Sequence, residues 1–502
     1  MSKLTDKLGR LTGFARSPSQ APRAHEAESA PHTGTWSRVE REFEPEPEFP
    51  DAEPVLLSAE PVRHQLPLLL DGDDLSGKLS RLREQVQRLQ ARPAVVRERA
   101  PLIRTEPDPT FLHVRTSAPA PHHGAADLPG EVRETSLGTL RSVLTCFPED
   151  HCHGSVGVVT ALDASAADVS VLALDPSLAN IDFSRALYID TETTGLAGGS
   201  GTIPFLIGMA WFEGRELRVE QLLLERPGLE APMLTCLAER LRASTAVISF
   251  NGKSFDWPLL RTRFILQRVP APTVPAHLDL LHCSRRVYKR RLGSVRLVHL
   301  EEQILGFTRV DDIPGELIPE TYLGFVRGRV PGSALAPIIE HNRNDLVALA
   351  AILGELTSRF RGERPRQDAR DQLGFAGVAA RGSDHARAMS FAQGAADADL
   401  LGELAPEAHF LTGELCLKAG DVEAAERAFL RSIEAACGLA NRAGRAHLAL
   451  AKLYEHRLKR FDTALLHARG AIAHEGPDAA ARRVARLSRK CASEFGVLSE
   501  AG

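Results

Sequence analysis

Apolar and polar positions change with short periods through the middle of the chain, from about residue 131 to residue 360. Apolar residues at helical spacing predict three helices, at 232–242, 256–267 and 334–359. Short apolar runs between turn residues predict five strands, at 186–190, 205–212, 217–224, 246–250 and 277–281. Three strands followed by alternating helices and strands are typical of an α/β domain with a mixed, five-stranded sheet.

The segment before this region has a different composition. Residues 1–130 are rich in Pro, Ala and charged residues, and an acidic run extends from Glu40 to Asp51. So little apolar content cannot bury a core, so we expect this segment to be mostly disordered. Apolar residues at helical spacing predict short amphipathic helices near 3–14 and 78–90.

The segment after this region divides into two parts. Residues 361–399 are rich in Gly, Ala and Arg and predict a linker. Residues 400–495 have helical periods throughout, and Ala425 and Phe429 fall at the offsets of a helix–turn–helix repeat of the tetratricopeptide (TPR) kind. We therefore expect a TPR-like helical domain here, with a plain helical bundle as the alternative.

Composition restricts the possible partners and location of the protein. The 61 basic and 65 acidic residues give a net charge of −4, so binding to nucleic acid requires a local basic patch. No apolar run approaches the roughly 20 residues that span a membrane, which predicts no membrane partner. The seven cysteines have no disulfide-like spacing, which favours the cytoplasm.

The first candidate site residues are Asp190 and Glu192, at the end of a predicted buried strand. Strand side chains alternate, so these two carboxylates point to the same side of the sheet. Buried acids are costly unless a charge such as a divalent cation neutralises them. The small residues that follow, Thr193 and Gly195, would let a substrate backbone approach.

Two further acidic positions lie near predicted strand and helix ends. Asp256 follows Asn251 at the start of a helix, where a helix N-cap is the structural alternative. His341 and Asp345 are four residues apart and therefore share one face of the last helix. Apolar neighbours such as Leu346 and Leu349 favour an inward orientation for that face.

Taken in order, these residues resemble the DEDD exonucleases of the RNase H-like superfamily. Asp190 and Glu192 match the first motif, Asn251 and Phe255-Asp256 the second, and His341 with Asp345 the third. The third motif of that superfamily has either His-x4-Asp or Tyr-x3-Asp, whereas this chain has a histidine at the tyrosine spacing. The resemblance implies an exonuclease domain over residues 131–360.

Longer stretches are similar to the YprB-type bacterial proteins. They are 190–202, 277–281, Asp312-Ile313-Pro314-Gly315 and His341-Asn342. In that family an RNase H-like nuclease precedes TPR-like helices. A member is associated with DNA repair beside a superfamily 2 helicase, which implies a similar setting and a possible helicase or other protein partner for the TPR-like region.

The resemblance also implies a mechanism. Two Mg²⁺ or Mn²⁺ ions would be held by Asp190, Glu192, Asp256 and Asp345, with Asp190 bridging both. Without metal these carboxylates would repel one another, which raises pKa values. His341 would be the general base, or alternatively a hydrogen-bond donor to the substrate phosphate.

Residues for substrate binding are predicted around these motifs. Leu196 and Phe255 are expected to pack against the terminal base, and Lys253 to contact a phosphate. A basic run after the fifth strand is expected to bind the nucleic-acid backbone, with a solvated helix face as the alternative. It comprises Arg285, Arg286, Lys289, Arg290, Arg291 and Arg296.

Three functions remain open on the sequence alone. The first is a 3′–5′ exonuclease acting on single-stranded or frayed DNA, and the second is the same chemistry on RNA. The third is a scaffold in which the helical region binds a partner and the nuclease fold is inactive. Retention of all four acids favours an active enzyme.

Overall fold

The computed structural model describes residues 127–195, 201–273, 276–364, 367–399 and 401–500, with side chains to residue 493. The helices predicted near 3–14 and 78–90 lie outside these residues. The strands are β1 Glu131–Thr135, β2 Gly138–Phe147, β3 Cys152–His153, β4 Val156–Gly157, β5 Ala186–Thr193, β6 Pro204–Glu213, β7 Glu216–Leu223, β8 Ala246–Ser249 and β9 Ala276–Asp279.

Helices surround the strands and continue to the end of the described chain. The α-helices of at least eight residues are α1 Ala166–Ala173, α2 Ala231–Ala243, α3 Asp256–Leu266, α4 Leu280–Leu292, α5 Ile318–Val326, α6 Ala336–Phe360, α7 Ala369–Arg381, α8 His385–Ala398, α9 Ala405–Lys418, α10 Val422–Ala435, α11 Ala440–Leu453, α12 Phe461–Gly470 and α13 Pro477–Glu500. Shorter turns include Leu297–Leu300 and Glu301–Leu305. No described helix is long and apolar enough to cross a membrane.

The main sheet is mixed, as expected, but it has seven strands among the described residues rather than five. Its order is β1-β2-β7-β6-β5-β8-β9. β8 and β9 continue parallel to β5, whereas the pairs on the other side of β5 are antiparallel. The prediction missed β1 and β2, because outward residues such as Val132 and Leu144 are exposed and obscure the alternation. The last strand ends at Asp279, which caps α4, rather than at 281.

Alternating residues of β5 enter two different cores. Tyr188 packs in the first core with residues of α4 and α6, and Leu187 packs in the second with residues of α2, α3 and α5. Helices therefore cover both faces of the sheet. Helix α6 lies over the face that also carries Asp190, which positions the third sequence motif above the first.

The segment 361–399, predicted as a linker, instead contains the helices α7 and α8. Phe375 and Phe391 of these helices join the first core, with ring centroids 5.1 Å apart. A Cβ at Gly374 would lie 2.6 Å from the Val287 carbonyl oxygen, so glycine permits close packing of α7 on α4. Small residues at a tight helix contact produce a composition that resembles a flexible linker.

Helices α9 to α12 pack against one another in consecutive pairs along the chain. Ala425 and Phe429 on α10 pack with Leu450 on α11 and with Ala464 and Ala468 on α12 in one core. The C-terminal region is therefore largely helical. Its assignment to the TPR kind remains a prediction.

Candidate metal centre

Strand β5 carries Asp190 and Glu192 to the end of the sheet. Asp190 lies opposite Gly208 of β6, and the register of the two strands shifts between Glu192 and Thr193. Such a shift interrupts the ladder and turns the strand locally. The regular pairing of β5 is thus interrupted after Glu192, with both acids on the face covered by α6.

A row of residues across three strands holds Asp190 in place. Asp190, Gly208 and Gln221 are direct neighbours in the pairings of β5, β6 and β7. The amide of Asn342, from α6, bridges the ends of this row. It accepts from Gln221 Nε2 over 2.8 Å and donates to Asp190 Oδ2 over 2.7 Å.

Glycine at position 208 makes this bridge possible. An added Cβ there would collide with the Asn342 side-chain amide and with Leu346 Cδ1. Asn342 is completely buried, so its hydrogen bonds to protein partners replace those to water. The contact between α6 and the sheet therefore also orients the carboxylate of Asp190.

Asp256 reaches the site from the turn between β8 and α3. It is buried at the first position of α3, and its Oδ1 accepts a hydrogen bond from the Thr191 hydroxyl. It is not the N-cap considered from the sequence, because Phe255 occupies that position. The turn is fixed by Asp279, whose carboxylate accepts from the backbone N–H groups of Asn251 and Lys253 over 2.8 and 3.2 Å. These bonds give Asp279 a structural role.

Helix α6 supplies His341 and Asp345, and both are held from outside the helix. The guanidinium of Arg309 donates to Asp345 Oδ1 and, over 2.8 Å, to Glu301 Oε2. The side chain of Arg309 is only 3% exposed, so it is a buried cation among acids. Nδ1 of His341 lies 2.8 Å from Asp312 Oδ1 and 3.0 Å from Asp312 Oδ2.

The contact with Asp312 fixes which nitrogen of His341 carries a proton. An ionised carboxylate only accepts hydrogen bonds, so Nδ1 donates to Asp312, its nearer partner. Nη1 of Arg309, which lies 3.3 Å from the same nitrogen, then finds no lone pair there to which it could donate. In the neutral imidazole the lone pair is then on Nε2, which lies 3.8 Å from Asp345 Oδ2. A second group that orients a histidine in this way is common in metal sites and in base catalysis.

Three of the predicted site residues converge closely enough to share an ion. Ligand atoms of Glu192, His341 and Asp345 all lie within 4.8 Å of one another. Carboxylate oxygens are suitable donors for Mg²⁺ and Mn²⁺, whereas an imidazole nitrogen suits softer divalent metals such as Zn²⁺. The residues present therefore fit a divalent cation, with the histidine inside the group of ligands rather than beside it.

The pKa shifts show that the remaining acids belong to the same cluster. Burial, followed by the charges of Asp345, Asp256 and Glu192, raises the pKa of Asp190 well above its usual value. Burial and the charges of Asp345 and Asp256 do the same to the pKa of Glu192. Burial, partly opposed by the Thr191 hydrogen bond, raises the pKa of Asp256 to about 6. Such mutual repulsion is what a bound cation would relieve.

The other predicted substrate residues have mixed positions. Leu196 lies outside the described residues. The Thr193 hydroxyl is used internally and donates to the Gly195 carbonyl over 2.8 Å, while Phe255 is half-buried. Lys253 is exposed, and its Nζ lies 3.7 Å from Asp175 Oδ2, so its ammonium group has an acidic partner.

The basic run on α4 divides between two sides of the helix. Arg285 and Lys289 are exposed beside Asn251. Arg290 pairs with Glu407 over 2.7 Å, and Arg291 pairs with the buried Asp371 over 2.8 Å. These two arginines therefore connect α4 to the helical region, contrary to the prediction of one continuous phosphate-binding run. Arg286 is half-buried, and its Nη1 has no hydrogen-bond partner among the described residues.

Sequence reasoning missed the residues that hold the acids. Arg309 lies in an irregular segment and has no motif around it. Asp312 and Asn342 lie within the stretches that resemble the YprB-type proteins. That resemblance was the one sequence signal that could have identified them as site residues. Gln221 and Gly208 carry no signal, because their role depends on the pairing of three strands.

Comparison with known proteins gives the superfamily of the α/β region. Residues 187–357, from β5 to α6, match the RNase H superfamily. This region is an RNase H-like domain. The chain is also 35% identical over 182 residues to the uncharacterized protein YprB of Bacillus subtilis (strain 168), an alignment that covers 36% of this chain and 44% of YprB. The chain thus matches less than half the length of that relative.

The raised pKa of Asp256 gives a pH-dependent stability. The pKa rises from its usual value of 3.8 to about 6, so this carboxyl ionises more easily in the unfolded chain than in the folded protein. The resulting loss of folding stability is absent below about pH 4 and complete above about pH 6. Asp256→Asn should therefore stabilise the metal-free protein near about pH 7.5 by up to roughly 2–3 kcal/mol, and should have little effect near about pH 4. Thermal unfolding at the two pH values measures this difference. Glu316→Gln, at an exposed acid, is the control, and equal effects of Asp256→Asn at both pH values would contradict the expectation.

Proposed function

We propose that this protein is a divalent-metal-dependent 3′–5′ exonuclease that hydrolyses phosphodiester bonds in nucleic acid. Single-stranded or frayed DNA is the proposed substrate, and DNA repair in the cytoplasm is the proposed setting. RNase H-like domains generally belong to nucleases, which supports the reaction class. All seven cysteines are free, which is compatible with a reducing compartment.

The observation that carries this proposal is the convergence of Glu192, His341 and Asp345 beside Asp190 and Asp256. Five groups that are costly to bury together are delivered from a strand, a turn and a helix. Hydrogen bonds orient Asp190, Asp256 and Asp345 individually. Stability alone would favour apolar replacements at such positions, so the arrangement supports a function that needs the charge.

In the proposed site, two Mg²⁺ or Mn²⁺ ions are held by Asp190, Glu192, Asp256 and Asp345. When bound, divalent ions stabilise the charge that develops on the attacking and leaving oxygens of a phosphodiester. Asn342 donates a hydrogen bond to one oxygen of Asp190, and Thr191 donates one to an oxygen of Asp256. Arg309 does the same for Asp345. Each carboxylate retains further lone pairs that could bind a metal ion.

His341 is proposed to accept the proton of the attacking water at Nε2. Asp312 holds the proton on Nδ1 and stabilises the imidazolium that forms. Two alternatives remain for His341, a direct metal ligand or a donor to the substrate phosphate. Of these two alternatives, the direct metal ligand is the better supported, because a ring nitrogen of His341 lies in the same group of ligand atoms as the carboxylates of Glu192 and Asp345.

Two other functions are compatible with the fold. An exoribonuclease would use the same site, because none of its acids distinguishes a 2′-hydroxyl. A scaffold that binds a helicase or another protein through the TPR-like helices would not need the acids to converge. A protein partner for that region could accompany either activity.

Cleavage of labelled oligonucleotides tests the reaction and its polarity. The parent protein with Mn²⁺ or Mg²⁺ should shorten single-stranded DNA from its 3′ end and should stop in EDTA. Asp190→Ala should abolish cleavage, because it removes a ligand without unfolding the domain. Strands labelled at either end, together with duplex DNA and RNA, separate the alternatives. An Asp190→Ala protein as active as the parent would contradict the assignment.

Substitutions at His341 and Asp312 test the base. His341→Ala should lower kcat by about 10²–10⁴-fold, the usual contribution of acid–base catalysis. Asp312→Asn should lower kcat by about 10–100-fold and leave KM nearly unchanged, because it only disturbs the orientation of the imidazole. Mn²⁺ affinity separates the roles, since it should fall in His341→Ala only if His341 is a ligand. A normal kcat in both variants would exclude the base assignment.

A further inference from the structure

A groove runs beside helix α4, next to the turn that carries Asp256. It has a volume of about 490 Å³. One wall is formed by Arg285 and Lys289 of α4, and the other by Arg296 and Leu297 after the helix. Phe250 and Asn251, at the end of β8, close the groove on the side of the candidate metal centre.

The charges that line this groove are all of one sign. Among the described residues around it, Arg285, Lys289 and Arg296 are cations and none is an acid. All three are exposed, and the structure shows no ion pair for any of them. Like charges gathered in a concave surface raise the local positive potential, although the whole chain is slightly acidic.

Neighbouring cations on α4 that lie away from the groove have acidic partners. Arg290 and Arg291 each have a carboxylate partner in the helical region. The structure thus neutralises the cations on one side of α4 and leaves those on the groove side without a counter-charge. A solvated helix face would not require this division, whereas an anion-binding groove would.

The groove and the candidate metal centre share one turn. Asn251 has a positive φ of 68° and is exposed at the groove, and the Phe255 N–H closes the turn on the Asn251 carbonyl over 3.1 Å. Asp256 follows directly and enters the acidic cluster. A ligand that extends from the groove toward the acids carries anionic groups opposite the cations of the groove. Beside the acids, an anionic group is favourable only where a divalent cation neutralises them.

We propose that this groove binds the phosphates of a single nucleic-acid strand that extends from the site of cleavage. The inference rests on the proposed nuclease function and adds the path of the substrate. Arg285, Lys289 and Arg296 contact backbone phosphates, so they contribute affinity without base specificity. Asn251 lies where the strand passes from the groove to the acids.

Binding measured without cleavage tests the path. A fluorescent single strand of about 12 nucleotides, within the ~4–16 that single-strand grooves cover, is titrated with the full chain in EDTA at several salt concentrations. Lys289→Ala and Arg285→Ala should each raise Kd several-fold. Each should also reduce the slope of log Kd against log salt concentration by about 0.7, the value for one lost contact to a single strand.

Arg290→Ala is the matched control, since it removes the same charge from the adjacent exposed position of the same helix. It should leave both Kd and the salt slope unchanged. Equal effects of Lys289→Ala and Arg290→Ala, or no effect of either groove variant, would overturn the proposal. A mononucleotide that binds as tightly as the long strand, with the same dependence on Lys289, would also overturn it by indicating a site for one phosphate.

The same proteins, assayed with Mn²⁺, separate this inference from the proposed function. Lack of cleavage by the parent, together with the expected loss of binding in the groove variants, would reject the nuclease and retain the groove. Cleavage by the parent with unaltered binding in the groove variants would retain the nuclease and reject the groove.

Discussion

Mutual repulsion among buried carboxylates is the constraint on which this structure depends. Burial, followed by the charges of Asp345 and Asp256, raises the cost of ionising Asp190 and Glu192, and burial does the same for Asp256. The protein opposes the repulsion with specific donors rather than with solvent. An amide is directed at Asp190, a hydroxyl at Asp256 and a buried guanidinium at Asp345, so a protein donor orients each of these acids.

These donors also explain features of the fold that lie outside the site. Gly208 leaves space on the central strand for Asn342, and this space determines how closely α6 approaches the sheet. Arg309 receives support from Glu301, which in turn contacts His153 over 2.7 Å. Helices α7 and α8 contribute to the first core, which also contains residues of α6, and they extend this core into the C-terminal region. The acidic cluster is therefore supported by contacts that reach through most of the α/β region.

The sequence predicted the parts that have a local periodic signal. Asp190 and Glu192 were identifiable because a buried strand alternates, and His341 with Asp345 because a helix repeats every three to four residues. The edge strands β1 and β2 escaped prediction because their exposed apolar residues weaken the alternation. Helices α7 and α8 resembled a linker because tight packing selects small residues. Gln221 could not be found at all, since its partner Asn342 is distant in sequence and meets it only in the folded chain. Arg309 could not be found because it lies in an irregular segment and reaches Asp345 on a different element.

Direct measurement of metal binding tests the central claim, that these acids form a divalent-cation site. The full chain is titrated with Mn²⁺, and free Mn²⁺ is followed by electron paramagnetic resonance. We expect saturable binding that is strongly weakened in Glu192→Gln and Asp345→Asn. Glu340→Gln, at an exposed acid on the same helix as Asp345, should bind as the parent does. Absence of Mn²⁺ binding by the parent, or equal binding by all four proteins, would contradict the account.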